Sequence, residues 1–297
     1  MSALPQRIAV TGASGLIGSA LVGHLKSEGH TVQRLVRRLP VSPDEVQWDP
    51  ATGYVDTAAL AGVDAVIHLA GVGVGDKRWS KKYKAQILNS RLLGTEAIAK
   101  AVAEVKPQVF ISASAIGWYG ESGNRAVIES DRAGDDFLAA VCREWEGAAD
   151  IASGVRTIKL RTGLVLDPTG GALGKMLPLF RFGLGGKLGS GKQWWSWITL
   201  HDVIRAITFA LENPIEGPIN LTSPNPVTNQ EFTAALARAM HRPALFPAPA
   251  FALKIALGGF SSEVLGSKRV IPQKLIDAGF TWDYPHVTSA LDALIEN

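Results

Sequence analysis

The amino-acid sequence predicts an α/β fold: a Rossmann-like, doubly wound parallel sheet with a smaller, mixed α/β C-terminal substrate domain. Three features point that way. Short apolar runs alternate with stretches of helical periodicity over residues 1–166, the first run enters a glycine turn that opens a helix, and beyond Leu166 the composition shifts to Gly, Pro and Trp.

The first unit is RIAVTGASGLIGSALVGHL, residues 7–25. Ile8, Val10 and Thr11 suit a buried parallel strand, while Ile17, Leu21 and Leu25 recur at i, i+4 and i+8 on one helical face. Between them lies Gly12-x-x-Gly15-x-x-Gly18. Gly12 permits a tight turn, Gly15 lets the backbone approach a pyrophosphate, and Gly18 lets the helix pack closely on its strand. The helix N-terminus then offers N–H groups and positive dipole to an anion. A strand before and a helix after are the context that turns such glycine spacing into a dinucleotide signal.

Gly29 suits a helix end and residues 31–36 a second strand; further strands fall at 65–70, 108–112 and 155–160, with helices at 90–105 and 135–152. Residues 167–200 read as a lid. A helix over 202–212, with Asp202 as its cap, and a strand over 218–221 return to the sheet, and helical patterns recur at 229–240 and 272–278. The domain reading is thus 1–166 with 201–222 returning to it, and 167–200 with 223–297 as lid and substrate domain.

NAD-binding strands carry an acid about 20 positions beyond the glycine loop to hold the ribose hydroxyls. Here Val36 stands there, followed by Arg37 and Arg38, whose guanidinium groups suit a 2′-phosphate and the adenine face. The expected cofactor is NADP(H) in preference to NAD(H). A second glycine segment, GKLGSGK at 186–192, imitates a phosphate-binding P-loop, but Gln193 replaces the Ser or Thr that would hold magnesium. It also leads into the strand-like Trp194-Trp195-Ser196-Trp197 instead of opening a helix, which excludes it as a nucleotide triphosphate site.

Composition narrows the remaining classes. No apolar run reaches the roughly 18 residues of a membrane span, and the N-terminal residues lack the pattern of a secretory signal. The net charge of +3 is too small to argue for a nucleic-acid groove. One cysteine, Cys142, permits no internal disulfide, and the six histidines show no HxH or HxxxH spacing, so a metal centre is not expected. A cytoplasmic location follows, with a small-molecule substrate and neither nucleic acid nor membrane as partner; nothing selects an oligomeric state. The basic run DKRWSKKYK, residues 76–84, reads as a solvated helix face, with anion binding as the alternative.

With the glycine loop, HLAG at 68–71, SASAIGWYG at 112–120 and RTGLVL at 161–166, the sequence resembles the extended short-chain dehydrogenase/reductase superfamily. SRLLGT at 90–95, FLAAVCREWE at 137–146, GSGKQWWSWI at 189–198 and KRVIPQKLIDAGFTW at 268–282 bring it close to an atypical, epimerase-like branch of that superfamily. The resemblance implies cofactor contacts from Gly12, Ser14, Gly15, Leu16, Ile17 and Arg37, from Leu69, Ala70 and Gly71, and from backbone near Thr162 and Gly163. It also implies an approach of Asp49 to the adenine.

Active members of the superfamily use a serine and a Tyr-x-x-x-Lys pair, in which lysine lowers the tyrosine pKa and holds the nicotinamide ribose. None of Tyr54, Tyr83, Tyr119 and Tyr284 has Lys four residues later. Matching Glu146 to the usual downstream acid puts Leu138 and Cys142 at the Tyr and Lys positions, and neither can do that work. Cys142 reads as an inert, buried helix residue. Ser114 stands at the usual serine position and Tyr119, in the loop beyond, is the proton-transfer candidate, with a packing aromatic as the alternative. Arg91 stands where relatives often place an asparagine and is a candidate for binding a substrate phosphate or carboxylate, with simple pairing to an acid as the alternative. Trp195 and Trp197, alternate residues of one strand, are candidates to wall the substrate cleft, with burial in the domain interface as the alternative. The functional expectation is an NADP(H)-dependent oxidoreductase or sugar-nucleotide-epimerase-like enzyme acting on a small, anionic or nucleotide-linked substrate; the competing one is a noncatalytic NADP(H)-binding sensor.

Overall fold

The structure is a computed structural model that describes residues 5–296. Its first half runs β1 (Arg7–Thr11), α1 (Leu16–Ser27), β2 (Thr31–Val36), β3 (Glu45–Asp49), β4 (Tyr54–Val55), β5 (Ala65–His68), α2 (Lys81–Val105), β6 (Val109–Ala115), β7 (Ala126–Val127), α3 (Phe137–Ala149) and β8 (Arg156–Thr162). The second half runs β9 (Leu164–Asp167), α4 (Gly171–Arg181), β10 (Trp194–Trp195), β11 (Trp197–Thr199), α5 (Leu200–Glu212), β12 (Gly217–Leu221), β13 (Val227–Thr228), α6 (Asn229–Ala239), α7 (Ala250–Leu257), α8 (Ser261–Leu265), β14 (Arg269–Val270), α9 (Gln273–Asp277) and α10 (Val287–Glu296).

The main sheet has the order β12-β8-β6-β5-β1-β2-β3-β4, parallel throughout except where β4 turns back on β3. Helices cover both faces, so β1 and β5 are buried on both sides and read as continuous apolar runs instead of alternating ones. Ile8 and Val10 point into a core shared with Leu21 and Leu25 of α1 and Val203 and Ile207 of α5. Ala9, between them, points to the opposite core with Ile98 and Val102 of α2. The chain leaves β1 for β2 on one side and returns to β5 on the other, so the crevice at the carboxyl ends of β1 and β5 is the topological switch point.

The strand over 31–36 forms as expected, whereas α2 begins at Lys81, well before the expected residue 90. Ser80 caps it by accepting the Tyr83 N–H at 3.1 Å, and the lysines make an exposed first turn around the buried Tyr83. Asp202 is not the cap of α5. Thr199 is, accepting the Asp202 N–H, while the fully buried Asp202 carboxylate accepts the N–H groups of Asp283 and Tyr284 at 3.0 Å each.

The smaller half is organised by β9, which pairs in parallel with β11, and by a core of Leu166, Leu173, Leu177, Trp197, Phe232, Leu236 and Leu291. The Gly- and Pro-rich lid therefore contains a helix, α4, that the composition obscured. Residues 273–282 do not stay in the smaller half as expected. Leu275 and Phe280 join the core of the main sheet, because edge strand β12 needs its Ile219 and Leu221 face covered.

Trp197 is also placed differently from the cleft wall expected of it. Its ring is fully buried, its indole N–H donates to the Asn225 carbonyl at 3.2 Å, and it fills the smaller half's core. The half-buried Trp195 shares that face but packs on Phe232, ring centroids 5.2 Å apart. Trp197→Ala is expected to lower the unfolding free energy by about 3–5 kcal/mol, as measured by urea titration; a loss below about 1 kcal/mol would return the ring to the cleft wall.

Candidate functional site

The turn after β1 is shaped by backbone contact. Gly12 has φ 67°, and a Cβ there would lie 2.8 Å from the Leu69 carbonyl carbon and 2.9 Å from the Ala70 nitrogen. A Cβ on Gly18 would lie 2.1 Å from the Gly12 oxygen. Packing alone therefore demands glycine at both positions. Gly15 differs: it caps α1 with ordinary extended angles, φ −79° and ψ 173°, and a Cβ would meet only the Gly12 oxygen, at 3.4 Å. The fold does not require a glycine there. Ser14 and Gly15 are exposed, and the start of α1 has neither a side-chain cap nor an acid in its first turn, leaving its N–H groups to an anion. Leu16 closes one wall: a Cβ at Gly170 would lie 3.2 Å from its Cδ1, so the turn before α4 rests on the glycine loop. Ile17 faces the core beneath.

The Thr11 hydroxyl joins β1 to β5. It accepts the N–H groups of Leu69 and Ala70 at 3.1 and 3.2 Å and so turns its own proton to His68 Nδ1, 2.8 Å away. His68 is wholly buried, and burial drives its pKa down to about 3. It stays neutral, as acceptance from Thr11 requires.

On the other side of the crevice, Arg37 is exposed at the end of β2. Arg38 is committed elsewhere. Its guanidinium grips Glu45 at 2.6 and 2.7 Å, and this pairing, with the Val41 N–H and Arg34, holds the Glu45 carboxyl down to about 2. Asp49, at the end of β3, accepts the Ala51 N–H and the Thr52 hydroxyl in a local turn. Thr162 bonds its own strand through the Leu160 carbonyl. Gly163 is glycine for packing, since a Cβ would lie 2.6 Å from the Ser196 oxygen.

Ser114 and Tyr119 belong to one buried network. Ser114, Arg161 and Asn220 are direct neighbours across β6, β8 and β12, which sets their side chains in a row. Arg161 grips Glu146 of α3 at 2.8 and 3.0 Å, Ser114 donates to the same carboxylate at 2.7 Å, and the guanidinium lies 3.9 Å from the Trp118 ring. Tyr119 donates to Asn220 Oδ1 at 2.6 Å and accepts from Arg161 at 3.1 Å. Burial pushes the phenol up to about 12, against the partial relief that Arg161 provides. The Tyr119 proton is thus engaged by Asn220, and the phenol is held above its ordinary value. Arg161, Asn220 and Glu146 were not expected as partners; RTGLVL contains the arginine, but only the register of three distant strands brings it to Ser114.

The corner beside Ser114 is apolar where lysine was sought. A Cβ on Gly117 would lie 3.2 Å from Leu138 Cβ and 3.5 Å from Cys142 Sγ. Burial raises the Cys142 thiol to about 12 and its Sγ faces the Ala115 carbonyl, the inert role expected of it. Arg91 stands over the opposite wall, its Cζ 3.6 Å from where a Gly71 Cβ would be and 4.8 Å from the Trp145 ring.

The His68 lock generates a pH dependence. Because the folded pKa of about 3 lies below the ordinary 6.5, the unfolded chain takes up a proton first, and the stabilisation present above pH 6.5 is lost as the pH falls. The expected slope is about 1.4 kcal/mol of unfolding free energy per pH unit below that point, read by urea titration against His68→Gln, in which it is absent. An unchanged slope in the variant would show that His68 titrates normally.

Residues 8–140 match the family model described as the NAD dependent epimerase/dehydratase family, and residues 248–294 match a domain of unknown function, DUF1731. An epimerase family protein of Mycobacterium leprae is 46% identical over 288 residues, covering 96% of this chain and 94% of its own. One of Arabidopsis thaliana, described as chloroplastic, is 38% identical over 97% of this chain and 86% of its own. The structure of the human epimerase family protein SDR39U1 with NADPH superposes with TM-score 0.90 at 32% identity, covering 98% of this chain and 99% of that one. A switch-point crevice, a glycine cradle and near full-length identity above that of a shared fold lead to one statement: this chain belongs to the epimerase family within the short-chain dehydrogenase/reductase fold.

Proposed function

We propose that the protein binds NADP(H) in the cradle between β1 and β5 and uses it for hydride transfer to or from a small substrate. The observation that carries the reading is Gly15, a glycine the packing leaves optional, standing before an uncapped helix N-terminus. Arg37 adds the preference. It is exposed, and β2 ends on Val36 with no acid to receive a 2′-hydroxyl, so the 2′-phosphate of NADP(H) is the fitting partner. The NADPH held by the human relative supports the same choice.

The nicotinamide supplies or accepts the hydride when bound. Ser114 contributes the proton path. Its hydroxyl donates to Glu146, so its lone pairs remain to accept from a substrate hydroxyl at the end of β6. In the oxidation direction the substrate proton passes to Ser114 Oγ while the serine proton passes to Glu146, and reduction reverses both moves. Tyr119 takes a positioning role by holding Arg161 and Asn220. Trp195 and Trp197 pack the smaller half behind the cleft. The reading includes a cytoplasmic location, supported by the single buried Cys142; among the described residues no helix is long and apolar enough to cross a membrane. Neither nucleic acid nor membrane is part of it. A noncatalytic NADP(H)-binding sensor is the second reading, favoured by the withdrawal of Tyr119 and Cys142 from proton exchange.

Fluorescence titration tests the cofactor. NADPH is expected to bind at least about tenfold more tightly than NADH, and Arg37→Ala to remove that margin while leaving NADH unchanged; equal affinities in the parent would contradict the assignment. A metabolite screen for nicotinamide oxidation then separates the readings. Turnover that falls at least about a hundredfold in Ser114→Ala, with NADPH affinity retained, supports hydride transfer. Turnover unaffected by Ser114→Ala contradicts the proton path, and binding with no turnover across the screen supports the sensor.

A further inference from the structure

β5 ends at His68 and α2 begins at Lys81, so twelve residues connect them, where such connections usually take about 2–6. The segment holds Gly71, Gly73 and Gly75 in alternation. It starts at the Leu69 and Ala70 backbone that Gly12 touches, and so borders the crevice on its β5 bank.

The start of α4 stands on both banks. On the β1 bank a Cβ on Gly170 would lie 3.2 Å from Leu16 Cδ1 and one on Gly171 3.6 Å from Leu16 Cδ2. On the β5 bank the exposed Lys175, one helical turn further on, donates to the Gly75 carbonyl at 3.5 Å. The first foot is packed hydrocarbon and the second a single long hydrogen bond open to water. The β5 bank is therefore where this roof can part.

What else holds that bank is a reciprocal contact of two aromatic rings with two glycines. Phe260, in the single turn Gly258–Phe260 between α7 and α8, covers Gly75, where a Cβ would lie 2.9 Å from its Cζ. Trp79 covers Gly259, where a Cβ would lie 3.3 Å from Trp79 Cβ. Neither glycine has a left-handed backbone, so the contact alone demands glycine at both. The two rings meet with centroids 5.9 Å apart, and the Trp79 indole N–H donates to the Val74 carbonyl at 2.8 Å. The Phe260 side is lightly anchored: no residue of α7 is buried, and its Phe251 and Ile255 are exposed. Segments with few buried apolar contacts open at little cost.

We propose that residues 71–80 form a strap over the dinucleotide crevice, latched by Trp79 and Phe260, which opens on its glycines to admit and release NADP(H). Closed, the strap and α4 shield the hydride-transfer end from water; open, they let the spent dinucleotide leave. This rests on the NADP(H) reading above.

The test replaces the aromatic latch by a covalent one. Trp79→Cys with Gly259→Cys sets two Cβ atoms near the roughly 3.5–4.5 Å span of a disulfide, and the native Cys142 is buried and does not compete. Stopped-flow fluorescence with NADPH is expected to show association and release both slowed at least about tenfold in the oxidised protein and restored by dithiothreitol. Phe260→Ala, which forms no crosslink, is expected to release NADPH at least about threefold faster than the parent. An oxidised protein, its disulfide verified by mass, that binds and releases NADPH at the reduced rate overturns the proposal. Where the disulfide does not form, Phe260→Ala decides, and an unchanged release rate overturns it. Failure of the parent to bind NADPH overturns the cofactor reading itself.

Discussion

Gly12 presses the turn after β1 against the backbone of Leu69 and Ala70 so closely that no side chain fits between them, and the Thr11 hydroxyl pins the same two residues by their N–H groups. The geometry of the crevice depends on that contact. It fixes where α1 starts and how the glycine loop faces the end of β5. The lock has a chemical condition attached: Thr11 can accept twice only by donating to a neutral His68, which burial keeps neutral. A packing constraint and a protonation state thus act on one backbone crossing.

The second constraint is the buried pair of Arg161 and Glu146. Breaking such a pair by removing one partner costs about 3–5 kcal/mol, since the remaining charge is stranded. Its demand for hydrogen bonds draws in Ser114, Tyr119 and Asn220. The polar groups at the carboxyl ends of β6 and β8 are therefore committed first to neutralising each other. The Tyr119 hydroxyl gives its proton to Asn220 within this network. Ser114 donates to Glu146 and so keeps its acceptor lone pairs.

The cradle was legible because its information is local. Gly12, Gly15 and Gly18 sit within one strand-turn-helix unit, and Arg37 follows the strand it ends. What escaped depends on distant register or on direction. Trp197 and Trp195 share one strand face, as alternation requires, but residue type does not say that the shared face is the core. Tyr83 and Ile87 form the buried stripe at the start of α2, but a basic run read only as a solvated helix face does not mark where that helix begins. Arg161 meets Ser114 only because β6 and β8, separated by a whole helix, pair in one register. Asp202 carries the residue type favoured in caps, but its carboxylate is claimed by the returning segment at Asp283 and Tyr284.

Freedom from any carboxylate at the end of β2 sets the exposed Arg37 apart from Arg38, which is committed to Glu45. A crystal structure of the protein with NADPH tests this most directly. The 2′-phosphate is expected within hydrogen-bond distance of Arg37, the pyrophosphate over Gly15, and the nicotinamide half beside Ser114. A dinucleotide whose 2′-phosphate lies in solvent, or one bound outside the crevice between β1 and β5, would contradict it.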